Sequence, residues 1–303
     1  MKTSRIHIGL VFAGLLSLAI AGCTLRIPDN NVPDVPLTFD PIMYAPVKAT
    51  SGEYPVDKDF CATVWSYPAA DGIQAAKSFL SAARVSRMNG SWAPVPAALW
   101  PGKGNRILVL AASPYGAETD VNLESGVIFS GIDTADQTDL LYTDRISGLT
   151  HDDSNGVVNL PFRHALCLLD FEMRCNGATD QQAALLSVSI DQLYTRGAFT
   201  SLPEPTWTTE GEAQEAVFFV GEQNISYNNQ PVGNSRWTIP QLLSSQISIT
   251  ICYHETPDTE ETALTLKSAP FNLLLEPGRH YTLTLSCLLD TKALKIDILD
   301  DLL

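Results

Sequence analysis

Beyond residue 23 the chain holds five thiols (Cys61, Cys167, Cys175, Cys252 and Cys287), four histidines (His151, His164, His254 and His280) and 34 acidic residues. Groups of these types could ligate a metal, form disulfides or drive nucleophilic catalysis, but their spacing supports none of the three. There is no Cys-x-x-Cys and no zinc-like grouping. Five thiols cannot all pair, and Cys167 and Cys175 fall on one apolar face of a single predicted strand, where they cannot bridge each other. Cys287 falls on a similar face, so buried, inert thiols are expected. His151-Asp152-Asp153 stands before Asn155-Gly156 and reads as a solvated turn. His164 interrupts an apolar strand face and reads as a hydrogen-bonded core histidine. Glu260-Glu261 and Asp300-Asp301 lie in polar or terminal segments and read as surface. The chain has no Gly-x-Ser-x-Gly elbow, phosphate loop, dinucleotide glycine pattern or His-Glu-x-x-His. Nothing assembles a nucleophile, a base and an oxyanion donor, so no catalytic residue, metal or cofactor is expected.

One thiol does stand where chemistry is expected. Lys2 and Arg5 precede the apolar run Gly9 to Ile20, which is too short to span a bilayer and has the form of an export signal. The run ends in Ile20-Ala21-Gly22-Cys23, which resembles the lipobox of bacterial lipoproteins. Small residues before the cysteine admit the backbone to a narrow peptidase site, and the Cys23 thiol is the acylation nucleophile. Several acyl chains on one residue exceed the marginal hold of a single chain, so attachment to a membrane through lipid is expected.

The chain carries 19 basic and 34 acidic residues, a net charge of −15. Such acidity repels phosphate backbones, and nucleic acid is excluded as a partner. About 280 residues beyond the signal are ample for two cores. We divide the chain into a signal at 1–22, a lipidated tether at 23–36, and two domains at 37–178 and 179–303.

The elements that must carry these residues read mostly as strands. Leu37-Thr38-Phe39 opens a short one, Phe60 to Tyr67 makes another, and Arg106 to Ala112 is a continuous apolar run of buried-strand type. From Leu160 to Leu168 the even positions are apolar; from Ala165 to Cys175 the odd ones are. That switch implies a bulge, or a strand passing between two packing environments. Period-two alternation returns at Leu186/Val188/Ile190, Ile247 to Tyr253, Tyr281 to Cys287 and Leu294/Ile296/Ile298. Asp71 to Val85, with Ala and Lys at helical positions, is the one predicted helix. Many short strands with Pro and Gly turns make an all-β fold of sandwich type.

Several spaced segments together resemble the fimbrillin family, the Mfa-like and FimA-like pilins of Gram-negative anaerobes. They are Trp92 and Trp100-Pro101-Gly102, then Leu108 to Tyr115, Gln137-Thr138-Asp139-Leu140-Leu141-Tyr142, and Leu160-x-Phe162-x-His164-Ala165-Leu166. Ser187 to Phe199, Trp207, Ile239-Pro240-Gln241 and Glu276-Pro277-Gly278-x-x-Tyr281 complete the series. The resemblance implies two transthyretin-like β-sandwich domains in tandem, export as an outer-membrane lipoprotein, and assembly with other subunits into a cell-surface fimbria. In such pilins a trypsin-like protease removes the N-terminal segment with its first strand, and a strand from a neighbour fills the groove. Here the strand removed would be Leu37 to Tyr44, carrying Leu37, Phe39, Ile42 and Tyr44. Lys48, the only basic residue between that strand and Lys58, would be the cleavage site, although arginine is more usual there in the family. The donor would be the C-terminal strand with Leu294, Ile296 and Ile298. Asp133-Thr134-Ala135 resembles a short O-glycosylation motif of such organisms. The competing expectation is a monomeric surface lipoprotein that binds glycan or host protein through sandwich loops, with Trp92, Trp100, Trp207 and Trp237 as stacking residues.

Overall fold

A computed structural model describes residues 35–44, 52–176, 183–254 and 260–303. The expected export signal at 1–22, the expected lipidation site Cys23 and the expected cleavage site Lys48 lie outside the described residues. The described chain is almost entirely strand. Its first ten strands are β1 (Thr38–Met43), β2 (Phe60–Pro68), β3 (Lys77–Met88), β4 (Ser91–Val95), β5 (Asn105–Ser113), β6 (Thr119–Asn122), β7 (Gly126–Asp133), β8 (Leu141–Thr143), β9 (Ile146–Leu149) and β10 (Val157–His164). Then come β11 (Cys167–Asn176), β12 (Ala183–Leu193), β13 (Arg196–Thr200), β14 (Thr206–Glu210), β15 (Gln214–Ile225) and β16 (Gln230–Thr238). The last six are β17 (Leu242–Ser245), β18 (Ile247–Tyr253), β19 (Thr262–Lys267), β20 (Phe271–Leu274), β21 (Arg279–Leu288) and β22 (Ala293–Leu302). No described helix is long and apolar enough to cross a membrane.

The largest sheet runs β2-β3-β4-β1-β10-β8-β5-β9, and a further pairing of β2 with β5 closes its first seven strands into a ring. Strand β5 explains its own uninterrupted apolar sequence. Ile107, Val109 and Ala111 point into the ring with Phe60, Trp92 and Phe162, while Leu108, Leu110 and Ala112 point out into a second core. That second core lies under the sheet β14-β13-β7-β6 and includes Phe129, Phe199 and Tyr142. A third core, from Cys167 to Leu294, is enclosed by the sheets β16-β11-β21-β22 and β15-β12-β18-β19. Pairing crosses the division expected at 178/179: β13 follows it in sequence yet pairs with β7 through Gly197–Ile132 and Phe199–Phe129. Val35 and Pro36, placed in the expected tether, are paired to the ring: the Trp100 amide donates to Val35 O at 2.9 Å and Pro36 bridges Leu99.

Two sequence expectations need correction, and a third is resolved between its two readings. Asp71 to Val85 is not a helix. A 3-10 turn at Ile73–Ala75 leads into β3, which pairs with β2 from Phe60–Val85 to Ser66–Lys77. The cross-strand ladder overrides the helix propensity of its Ala and Lys residues, and Ala82, at φ 44°, donates its amide to Thr63 Oγ1 across the bulge. Of the two readings of the apolar switch after Leu160, the bulge gives way to a passage between packing environments, with the strand broken at the crossing. Strand β10 ends at His164, Ala165 and Leu166 turn inside the second core, and β11 starts in the third with odd residues inward. Leu186 also leaves the inner face. A bulge between Leu185 and Ser187 makes Leu185 the core residue, in register with Ile251.

Candidate functional site

The first strand sits in the wall of the ring. On one side β1 runs parallel to β10 through six register pairs, from Thr38–Val157 to Met43–Phe162. On the other side it meets β4 at a single antiparallel pair, Phe39–Trp92. Its ends are tied by Leu37 N to Ala98 O at 2.8 Å, Met43 N to Gly52 O at 3.1 Å, and Tyr44 N to Phe162 O at 2.7 Å. Thr38 Oγ1 adds a bond to Gly156 O at 3.1 Å.

Leu37 and Phe39 are fully or almost fully buried. Phe39 meets Phe60 edge-on at 6.1 Å, and Phe60 in turn packs on Trp92 and Phe162. Pro41 is also buried, whereas Ile42 is half-buried on the opposite face. Tyr44 is exposed, with the Arg163 guanidinium 3.7 Å above its ring. Burying Leu37 and Phe39 stabilises the ring by about 2 kcal/mol each. Tyr54 lines the same aromatic cluster, and burial pushes its hydroxyl up to about 12, although Ser113 hydrogen-bonds it.

The last strand has the complementary character. Among the described residues β22 makes its one ladder with β21, from Arg279–Leu302 to Leu288–Ala293, and forms an edge of its sheet, touched on the other side by a single bridge from Leu294 to Ser268. Its burial fades along its length: Leu294 is in the third core, Ile296 packs partly against it, and Ile298 is 41% exposed. Leu299 and Leu302 are more exposed still. An edge that shows apolar side chains and open backbone groups invites pairing with another chain.

The remaining candidates are structural. Trp92 and Trp100 are buried, and Trp100 Nε1 donates to Gly156 O at 3.0 Å. Trp207 Nε1 donates to Ala165 O, and Trp237 stacks on the His164 ring at 5.2 Å. None of the four stands free on a loop as a glycan platform would. His164 Nδ1 lies 2.9 Å from Asp139 Oδ1, and His280 Nε2 lies 2.6 Å from Asp170 Oδ2. His151 heads a single turn whose capping box joins Thr150 and Asp153. Among the described residues no group of three or more His, Cys, Asp or Glu could hold a metal ion. Thr134 is buried and its hydroxyl donates to Thr195 O at 3.2 Å, so it is not presented to a glycosylating enzyme in the folded chain.

Sequence reasoning missed the device that holds the strand crossings. Gln137 Nε2 donates to Trp237 O while its Oε1 accepts from Trp237 N, so the amide acts as an extra strand rung. Gln241 does the same with both backbone groups of Tyr194, at 2.9 and 3.0 Å.

A model described as fimbrillin-like matches residues 61–297 of the chain. No curated protein matches it. Among solved structures, a fimbrial protein from Bacteroides vulgatus is similar at 15% identity over 88% of this chain and 99% of that one, with a TM-score of 0.68. A protein from Bacteroides uniformis described as a candidate cell adhesion protein is similar at 15% identity over 88% and 98%, with a TM-score of 0.55. A third, of the same description, from Bacteroides ovatus, is similar at 15% over 89% and 97%, with a TM-score of 0.51. At these identities the likeness is one of fold.

Proposed function

The chain belongs to the fimbrillin-like family, and from that premise we propose that it is a subunit of a cell-surface fimbria that joins its neighbours by exchanging strands. The observation that carries this reading is the mounting of β1: six register pairs on β10, one on β4, and two buried side chains that fill the ring. Cleavage after Lys48 would free residues 1–48. Their departure would leave the β10 edge unpaired beside an open apolar slot, a costly state that an incoming alternating strand would relieve in both backbone and core.

The donor in this account is β22, whose outer half already lies beyond its own core. Before assembly the subunit would be held at the outer membrane by acyl chains on Cys23, and a trypsin-like protease would release it for exchange.

Limited trypsin digestion of the purified protein tests this. The account expects one early cut, read as Ala49 at the new N-terminus, followed by SDS-resistant ladders. Cleavage that leaves a stable monomer contradicts strand exchange. Labelled fatty acid retained by the wild type and lost on Cys23→Ala checks the anchor.

A further inference from the structure

Strands β11 and β21 run side by side in parallel, and their register places Cys175 directly opposite Cys287. Both side chains belong to the third core; Cys287 is fully buried, and Cys175 sits at its rim with 8% of its surface exposed. Both are thiols in the structure. No other described cysteine has a thiol opposite it: Cys61 faces Arg84 and Ala112, Cys167 faces Thr238, and Cys252 faces Ala184 and Ala263. Neighbouring strands lie about 4.8 Å apart, inside the range of about 4.4–6.8 Å between Cα atoms that a disulfide spans.

We propose that Cys175 and Cys287 are a redox pair that closes to a disulfide, stapling the two central strands of the sheet that ends in β22. The thiols share a hydrogen bond, which holds Cys175 below the ordinary thiol value and, with burial, pushes Cys287 above it. Cys175, at the rim, is the thiol that an oxidant can reach, so it is the nucleophile, and the fully buried Cys287 is the resolving group. The oxidant is a small-molecule or protein disulfide, a class that persists outside the cytoplasm. Cys175 thiolate attacks one of its sulfurs, breaking that S–S bond and releasing one thiolate. The released thiolate takes the Cys287 proton, and Cys287 thiolate then attacks Cys175 sulfur and expels the second half of the oxidant as a thiolate, which takes up from solvent the proton that Cys175 gave up. Two cysteine thiols lose two electrons, and the oxidant disulfide becomes two thiols.

Leu294 of β22 pairs with Cys287 on the other side of β21. If β22 is donated to a neighbour, β21 becomes the sheet edge, and the staple would keep it on β11. That consequence rests on the strand-exchange reading, whereas the disulfide does not.

The test exposes the folded full chain to oxidised glutathione, quenches with acid, unfolds it in a thiol-blocking maleimide and maps unreduced peptides by mass spectrometry. The expected product is a Cys175–Cys287 linked peptide, two hydrogens lighter than its thiol parts, with the blocker on Cys61, Cys167 and Cys252. In Cys287→Ser, Cys175 should instead carry glutathione. The oxidised wild type should also unfold at a higher denaturant concentration than the reduced protein. Blocker on both Cys175 and Cys287 in the wild type, or a link from either to another cysteine, overturns the proposal even where the ladder assay succeeds.

Discussion

Phe39 and Trp92 face each other across the only described ladder rung between β1 and β4, while the other edge of β1 is fully paired with β10. The ring therefore has a weak seam beside its first strand. Phe39 is the side chain that holds the seam shut, because its ring reaches past the seam to Phe60.

Phe39→Ala should destabilise the full chain by about 3–5 kcal/mol, read as a lower urea midpoint. Asp40→Ala, on the exposed side of the same strand, should change stability by less than about 0.5 kcal/mol. Equal effects would mean that β1 does not fill the ring.

The glutamine clamps should matter despite their polar surroundings. Gln241→Ala strips partners from both Tyr194 N and Tyr194 O and should cost about 2 kcal/mol by denaturant unfolding, since each backbone group left without a partner costs about 1 kcal/mol or more. A loss within the measurement error would show that water replaces the clamp.

Acid should weaken the C-terminal sandwich through Asp191. Burial alone would raise its carboxyl, but Lys267 Nζ at 2.7 Å and Ser248 Oγ at 2.6 Å outweigh that and hold it below the usual carboxylate value. A folded-state value below the unfolded one means that this stability is present above the unfolded value, about 3.9 for Asp. It is lost as pH falls through the folded value. Lys267→Met should flatten the fall in unfolding midpoint between about pH 5 and pH 2; an unchanged slope would remove Asp191 from the acid response.

Much of the fold was legible because single strands announce themselves by parity. Cys167 to Cys175 alternates in sequence and in burial, and β5 reads as two-sided because both of its faces are covered. Strand β3 was not legible: only Val85 is buried along it, so its sequence carries almost no period-two signal, and its pairing with β2 decides the outcome. Neighbours in space were harder still. Parity puts Cys175 and Cys287 each on an inward face, but only the parallel register of β11 and β21 sets them opposite each other. Several segments that resemble the family have structural roles here. Gln137 and Gln241 clamp the strand crossings, and His164 packs between Asp139 and Trp237. The edge position of β22 follows from sheet order, which no local pattern reveals.

The central claim is that β22 of one subunit fills the slot that β1 vacates in the next. Ile298 separates folding from exchange, since it is 41% exposed in the free subunit and would be buried in a neighbour's ring. The decisive measurement compares SDS-resistant ladders from trypsin-nicked wild type and nicked Ile298→Asp, after matching urea midpoints show that both subunits are folded. Strand exchange predicts ladders in the wild type and monomers in the variant. Ladders of equal length in both would contradict it.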